Sequence, residues 1–227
     1  MYIVIAGGGL MGLSLAEALV AHRHDVLVID PEPAVTEYAH TEIGAMVHTG
    51  SATDPRVLEA VGMRRADIAV AVMRNDALNL AFILLAKSFG VPRRLVRMRE
   101  KDFEEAYRLA GATTIVSSVK PLIDQMMVNI EYPDIRSLMR FNKGNIDVFE
   151  VTVPPQADVA GLTVEAIARL PDFPPTCNFV AVENAYGTLE IARGTTEVPG
   201  GSTAILLAME VDLDAVIRLL TRPRGGA

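Results

Sequence analysis

Between residues 2 and 118, short runs of apolar residues alternate with stretches in which apolar positions recur every three or four residues. The runs at 2–6, 25–30, 45–48, 67–72, 94–98 and 113–116 predict strands. The periodic stretches at 10–21, 33–41, 55–61, 77–88 and 101–110 predict helices. The strand runs hold few polar residues, as strands buried on both faces do. Strict strand–helix alternation then predicts an α/β fold, a Rossmann-like doubly wound parallel sheet. Local signals agree. Asp54 precedes Pro55 as a helix cap, and Gly62 and Gly90 stand where helices should stop.

Past residue 118 the pattern changes. "VKPLIDQMMVNI" predicts a crossover helix whose Leu122, Ile123, Met126, Met127 and Ile130 form one broad apolar face. That face docks either on a second subunit or on its own domain. "IDVFEVTVPP" alternates as a strand does, "TVEAIARL" is a short helix, and "NFVAVENAYGTLEIARG" is two strands about a turn. "STAILLAMEV" is another strand and "DLDAVIRLL" a closing helix, so a smaller α+β module follows the first domain. The expected organisation is 1–118, then a crossover helix and linker over 119–144, then 145–222, with the boundary near Pro133–Asn145 and a frayed "RPRGGA" tail.

Charge narrows the functional classes. The 227 residues carry a net charge of -7, which disfavours nucleic acid as a partner. Arg93, Arg94, Arg97 and Arg99 are read as a local basic group against that background. One cysteine, Cys177, precludes an internal disulfide and reads as a small core residue. The opening strand predicts no leader, and no apolar run approaches the ~20 residues of a membrane-spanning helix. The expectation is a cytoplasmic protein that meets a membrane only through a partner, without inserting.

Gly7, Gly9 and Gly12 form G-x-G-x-x-G between the first strand and the first helix. Gly7 permits a tight turn, Gly9 lets a diphosphate approach the backbone, and Gly12 lets the helix pack on the strand. The orphan N–H groups of the helix start, those of Leu10 and Met11 among them, face the anion. Asp30 ends the second strand at the spacing of a ribose-binding carboxylate, with Pro31 beside it. A carboxylate there repels a 2′-phosphate, which disfavours NADP and leaves NAD(H), ATP, ADP and AMP open. The plainer alternative is that the glycines only make a tight turn.

These pieces resemble, in order, the RCK (KTN) regulatory proteins of bacterial potassium uptake systems, the TrkA/KtrA family. The similarity runs through "YIVIAGGGLMGLSLAEAL", through "HTGSATDPRVLEAVGMRRADIAVAVMRNDALN" with its D-x-x-N element, and through "GTTEVPGGSTAILLAM". The resemblance implies a nucleotide cleft. Gly7, Gly9 and Gly12 would receive phosphates and Asp30 a ribose, with Gly50, Ser51, Ala52 and Thr53 bordering the adenine. Met73, Arg74, Asn75 and Asn79 would line the cleft, and Arg97 or Arg99 would offer positive charge. It also implies a membrane potassium channel or transporter subunit as partner, with an RCK-type sensor of another partner as the alternative, a homodimer assembling into a larger ring, and no enzymatic reaction. This sequence departs from the family at four places. Ser51 stands where the family often has Asp, Leu10 where KtrA-like chains have a phosphate-binding Arg, Val119 where they tend to have Glu, and Gly201–Ser202 where a G-D is usual.

Other chemistry is thin. His22 and His24 flank Arg23 at a helix end, where cations suit the dipole better than they suggest a metal. A dehydrogenase would want a positioned acid or base, and the second module has neither histidine nor lysine. Its Asp158, Glu165, Glu183, Glu190 and Glu197 read as surface charges. For Arg97 and Arg99, phosphate contact competes with ion pairing to Glu100, Glu104 or Glu105.

Overall fold

The computed structural model describes residues 1–131, 135–141 and 146–224. They form two compact units, Met1–Pro121 and Leu122–Ala227. In the first unit β1 (Tyr2–Ala6), α1 (Leu10–Ala21), β2 (Asp25–Asp30), α2 (Pro33–Thr41), β3 (Met46–Thr49), α3 (Pro55–Ala60), β4 (Ile68–Ala71), α4 (Asp76–Ser88), β5 (Arg93–Met98), α5 (Glu104–Ala110) and β6 (Thr114–Ser117) alternate. The strands make one parallel six-stranded sheet in the order β3-β2-β1-β4-β5-β6. From β1 the chain builds outward to β3 on one side. It then returns to β4 and builds to β6 on the other, so the order reverses between β1 and β4.

The apolar strands fill two cores because successive side chains point to opposite faces. Ile3 and Ile5 of β1 join Val26 and Val28 of β2, and Ala16 of α1 and Ala39 of α2 cover them. Val4 and Ala6 join Ala69 and Ala71 of β4 under Leu58 of α3, Phe82 and Ile83 of α4, and Tyr107 of α5. This two-sided burial is why the strand runs lack alternation. Helix starts follow their caps. The Asp54 carboxylate accepts the Arg56 N–H at 2.8 Å, and the Asn75 side chain accepts those of Ala77 and Leu78. Gly62 and Gly90 both take positive φ, 70° and 82°. The expected helix 101–110 is split: Lys101–Phe103 is a 3-10 turn and the α-helix begins at Glu104.

In the second unit α6 (Lys120–Glu131), which begins just inside the first, is followed by β7 (Ile135–Phe141), β8 (Ile146–Thr152), β9 (Leu162–Thr163), α7 (Val164–Ala168), β10 (Asn178–Glu183), β11 (Leu189–Ile191), β12 (Glu197–Val198), β13 (Thr203–Met209) and α8 (Leu213–Thr221). Five strands form an antiparallel sheet, β11-β10-β13-β8-β7, and β9 pairs with β12. Phe149, Val151, Ala204 and Leu206 of the sheet pack on Ile167 of α7 and on Leu213, Val216 and Leu220 of α8.

Two expectations are revised here. Residues 135–141, read as linker, are a strand; a bulge between Ile135 and Ser137 breaks the period-two pattern that would have revealed it. The expected boundary ends, Pro133 and Asn145, lie outside the described residues. The tail is tied down as far as Arg224. Arg222 pairs with Asp158 at 3.0 Å, Pro223 bridges to Ala157, and the Arg224 N–H donates to Gln156 O at 2.8 Å. Among the described residues no helix is long and apolar enough to cross a membrane.

Candidate functional site

The turn from β1 into α1 is built from glycine for three different reasons. Gly7 has φ 104°, and a Cβ there would lie 3.0 Å from the Met73 backbone nitrogen, so the turn abuts the segment after β4. A Cβ on Gly12 would lie 1.9 Å from Gly7 O, so only glycine lets α1 sit this close to the turn. A Cβ on Gly9 would meet nothing within 4 Å. Packing therefore does not require glycine at position 9, and the space beside its backbone opens to solvent. Gly9 is the N-cap residue and makes no side-chain cap. The first helical amide to find its partner is that of Leu13, which donates to Gly9 O at 2.9 Å. The amides before it point out of the helix start with the positive end of its dipole. Leu10 and Met11, the first helical residues, are exposed, Leu10 at 87%.

Asp30 stands beside this turn at the end of β2. Its Oδ2 accepts the Gly8 N–H at 2.7 Å and its Oδ1 accepts the Glu32 N–H at 3.0 Å. Each oxygen keeps acceptor capacity for a further hydroxyl. Pro31 is exposed beyond it. The loop after β3 is joined to the same place, because the Gly50 N–H donates to Asp30 O at 3.0 Å. In that loop Ser51 is exposed and Ala52 buried, and the Ser51 and Thr53 hydroxyls lie 2.9 Å apart.

The far wall is the segment after β4. Met73 is half-buried, while Arg74 and Asn75 are exposed. Arg97, in β5, donates to Met73 O at 3.4 Å, and its Nε is buried with no partner among the described residues. Arg99, just past the strand, donates to Arg74 O at 2.7 Å. Among the described residues neither takes the ion pair that was the alternative to phosphate contact; Glu104 and Glu105 pair with Arg108 instead. The basic group is divided as well. Arg94 Nε donates to Gly111 O at 2.6 Å at the opposite end of β5.

Asn79, expected at the cleft surface, is fully buried in α4. Its Oδ1 accepts the Met73 N–H at 2.9 Å and its Nδ2 donates to Met73 O at 3.0 Å. Asp76 is also buried. It accepts the Tyr107 hydroxyl at 2.7 Å and the Glu100 N–H at 3.0 Å. Burial, with the Asp76 carboxylate beside it, holds the Tyr107 phenol protonated far above its ordinary range. Sequence reasoning saw the D-x-x-N spacing but had no signal that both side chains face inward.

Elsewhere the chemistry is sparse. Cys177 is buried, and desolvation together with Asp212 pushes its thiol up to about 12. His22 caps the end of α1, its ring nitrogen 2.7 Å from Ala18 O. Among the described residues no cluster of three or more metal-ligating side chains forms.

A model of the TrkA-N domain family matches residues 3–118. The "Trk system potassium uptake protein TrkA homolog" of Methanothermobacter thermautotrophicus is 30% identical over 182 residues, 80% of this chain and 81% of its own. A protein of the same name from Pyrococcus abyssi is 26% identical over 231 residues, 99% of each chain. Among solved structures, "GsuK channel bound to NAD" superposes with a TM-score of 0.66 at 21% identity, covering 99% of this chain and 40% of that one. At that identity the likeness concerns the fold, and this chain spans well under half the length of that channel.

Proposed function

The chain belongs to the TrkA family, and on that premise we propose that it is a regulatory subunit of a potassium channel or transporter with an adenine nucleotide in the cleft where the sheet order reverses. Open α/β sheets bind ligands at such reversals, beyond the carboxyl ends of the strands. The observation that carries the reading is Gly9: packing leaves room there for a side chain, yet the residue has none, beside unbonded helix-start amides. A diphosphate uses that combination.

In this reading the backbone of Gly7, Gly9, Leu10, Met11 and Gly12 cradles the phosphates. Asp30 and Pro31 meet the ribose, and Ser51, Ala52 and Thr53 border the adenine. Met73, Arg74 and Asn75 form the opposite wall, with Arg97 and Arg99 supplying positive charge behind it. NAD(H), ATP, ADP and AMP share the adenosine end that this cleft would read. The relatives' names supply the potassium system, and the NAD named with the GsuK channel supports a dinucleotide in this fold. The chain acts at the cytoplasmic side through its membrane partner. It pairs as a homodimer and assembles into a ring. Nucleotide shifts the partner by its differential affinity for two arrangements of the ring, typically ~1–3 kcal/mol per site.

Calorimetric titration of the purified protein with NADH, NAD, ATP, ADP and AMP tests this. At least one compound is expected to bind, and Asp30→Ala should weaken it about tenfold by removing a charged acceptor. Absence of binding by all five overturns the reading.

A further inference from the structure

The D-x-x-N element has no role in the cleft just described, because neither side chain reaches its surface. Asp76 is 5% and Asn79 0% exposed. Both are spent on the backbone around the far wall. Asn79 grips both the N–H and the C=O of Met73, the residue whose backbone lies 3.0 Å from where a Gly7 side chain would begin. Asp76 takes the amides of Arg99 at 3.3 Å and Glu100 at 3.0 Å and the hydroxyl of Tyr107. Arg99 in turn donates to Arg74 O. The wall is therefore hydrogen-bonded from behind, to α4, to the end of β5 and to α5, and abuts the glycine turn in front.

We infer that Asn79 and Asp76 are positioning residues for the nucleotide: through Met73 and the turn at Arg99–Glu100 they fix the spacing between the far wall and the glycine turn, and so the width of the phosphate cradle. This rests on the nucleotide reading above. A side-chain amide is suited to the task because it both accepts and donates, and so holds both backbone polar groups of one residue. Alanine at 79 leaves the Met73 N–H without its partner and the Met73 C=O with only the longer Arg97 contact at 3.4 Å, a loss that lets the wall move.

The test separates position from stability. Affinity for NADH and for ATP is measured by calorimetry for wild type, Asn79→Ala, Tyr107→Phe and Ile83→Val, each with its ligand-free melting temperature. Ile83 lies buried in the same helix and does not bond to the wall, so its variant reports core weakening alone. The expected result is about tenfold weaker binding for Asn79→Ala, a smaller loss for Tyr107→Phe and unchanged affinity for Ile83→Val, whatever the melting temperatures. Amide exchange on wild type supplies a second measurement if Asn79→Ala does not fold. NADH should slow exchange at Met73, Arg99 and Glu100 together, and leave Arg94, at the other end of β5, unchanged. Wild-type binding with equal affinity in Asn79→Ala, or with protection at Met73 but none at Arg99 and Glu100, overturns the positioning role. Failure of wild type to bind any of NADH, NAD, ATP, ADP and AMP overturns the nucleotide reading on which it rests.

Discussion

Gly9 and Gly12 belong to one motif but face opposite constraints. At Gly12 a side chain would collide with Gly7 O, so substitution tests the fold before it tests the ligand. At Gly9 φ is -69°, the backbone is extended and nothing stands nearby. Alanine there costs no strain and reduces the freedom of the unfolded chain. Gly9→Ala should therefore keep or slightly raise the ligand-free melting temperature while weakening nucleotide binding about tenfold or more. Gly12→Ala should destabilise by several kcal/mol, about the cost of an overpacked site or more. Calorimetry beside thermal melts distinguishes them, and equal affinity in Gly9→Ala would remove the phosphate from this turn. Cys177 is legible at the same scale: a lone cysteine in an apolar stretch reads as core, and it is. Its thiol sits above the ordinary 9.0, at about 12, so the folded form holds a proton that the unfolded form loses in alkali. The stability this contributes is complete below pH 9 and is lost as pH rises toward 12. Urea melts across that range should fall more steeply for wild type than for Cys177→Ala, and parallel curves would refute the assignment.

At the scale of elements, the sequence was most readable where capping chemistry marks an end. Asp54–Pro55, Gly62 and Gly90 each specify a local backbone geometry, and a helix starts or stops there. It was least readable at β7, where a bulge displaces the alternation. The D-x-x-N pair shows the same limit inside a helix: spacing places two polar residues one turn apart but cannot say which face the tertiary packing will bury. Helix α6 poses the opposite case. Its period is clear, and Leu122, Ile123, Met126, Met127 and Ile130 remain exposed along one face, Ile130 at 75%. Monomers seldom expose an apolar stripe of this kind. The homodimer proposed above would bury it against a second copy, in a self-complementary contact. Met126→Glu combined with Ile130→Glu should then weaken dimerisation by about a hundredfold or more, through buried like charges. Light scattering against concentration would show it. A wild-type protein that stays monomeric at tens of micromolar would take this face out of the dimer.

At the scale of the whole molecule, each unit carries its own core: two apolar layers about the parallel sheet in the first, one face of the antiparallel sheet in the second. The alternation of strands and helices made the first unit legible in outline, because repeated strand–helix–strand steps dictate a parallel sheet covered on both faces. The second depends on pairing between distant strands, such as β8 with β13, which no local pattern encodes. This division makes the proposed regulation measurable. A nucleotide in the first unit stabilises that unit by RT ln(1 + [L]/Kd), about 2.7 kcal/mol at a hundred times Kd. That amounts to about a hundredfold slower exchange at amides that open only by unfolding of the unit. Val4 of β1 and Val70 of β4 should show it in full. Phe149 of β8 and Leu206 of β13 should show only the share that crosses between the units. A subunit that signals to a partner through its second unit needs that share to be nonzero, since a ligand cannot shift what its binding energy does not reach. Slowing at Val4 and Val70 with none at Phe149 and Leu206 would place the output of the sensor on the first unit. Equal slowing at all four would make the two units a single cooperative lever.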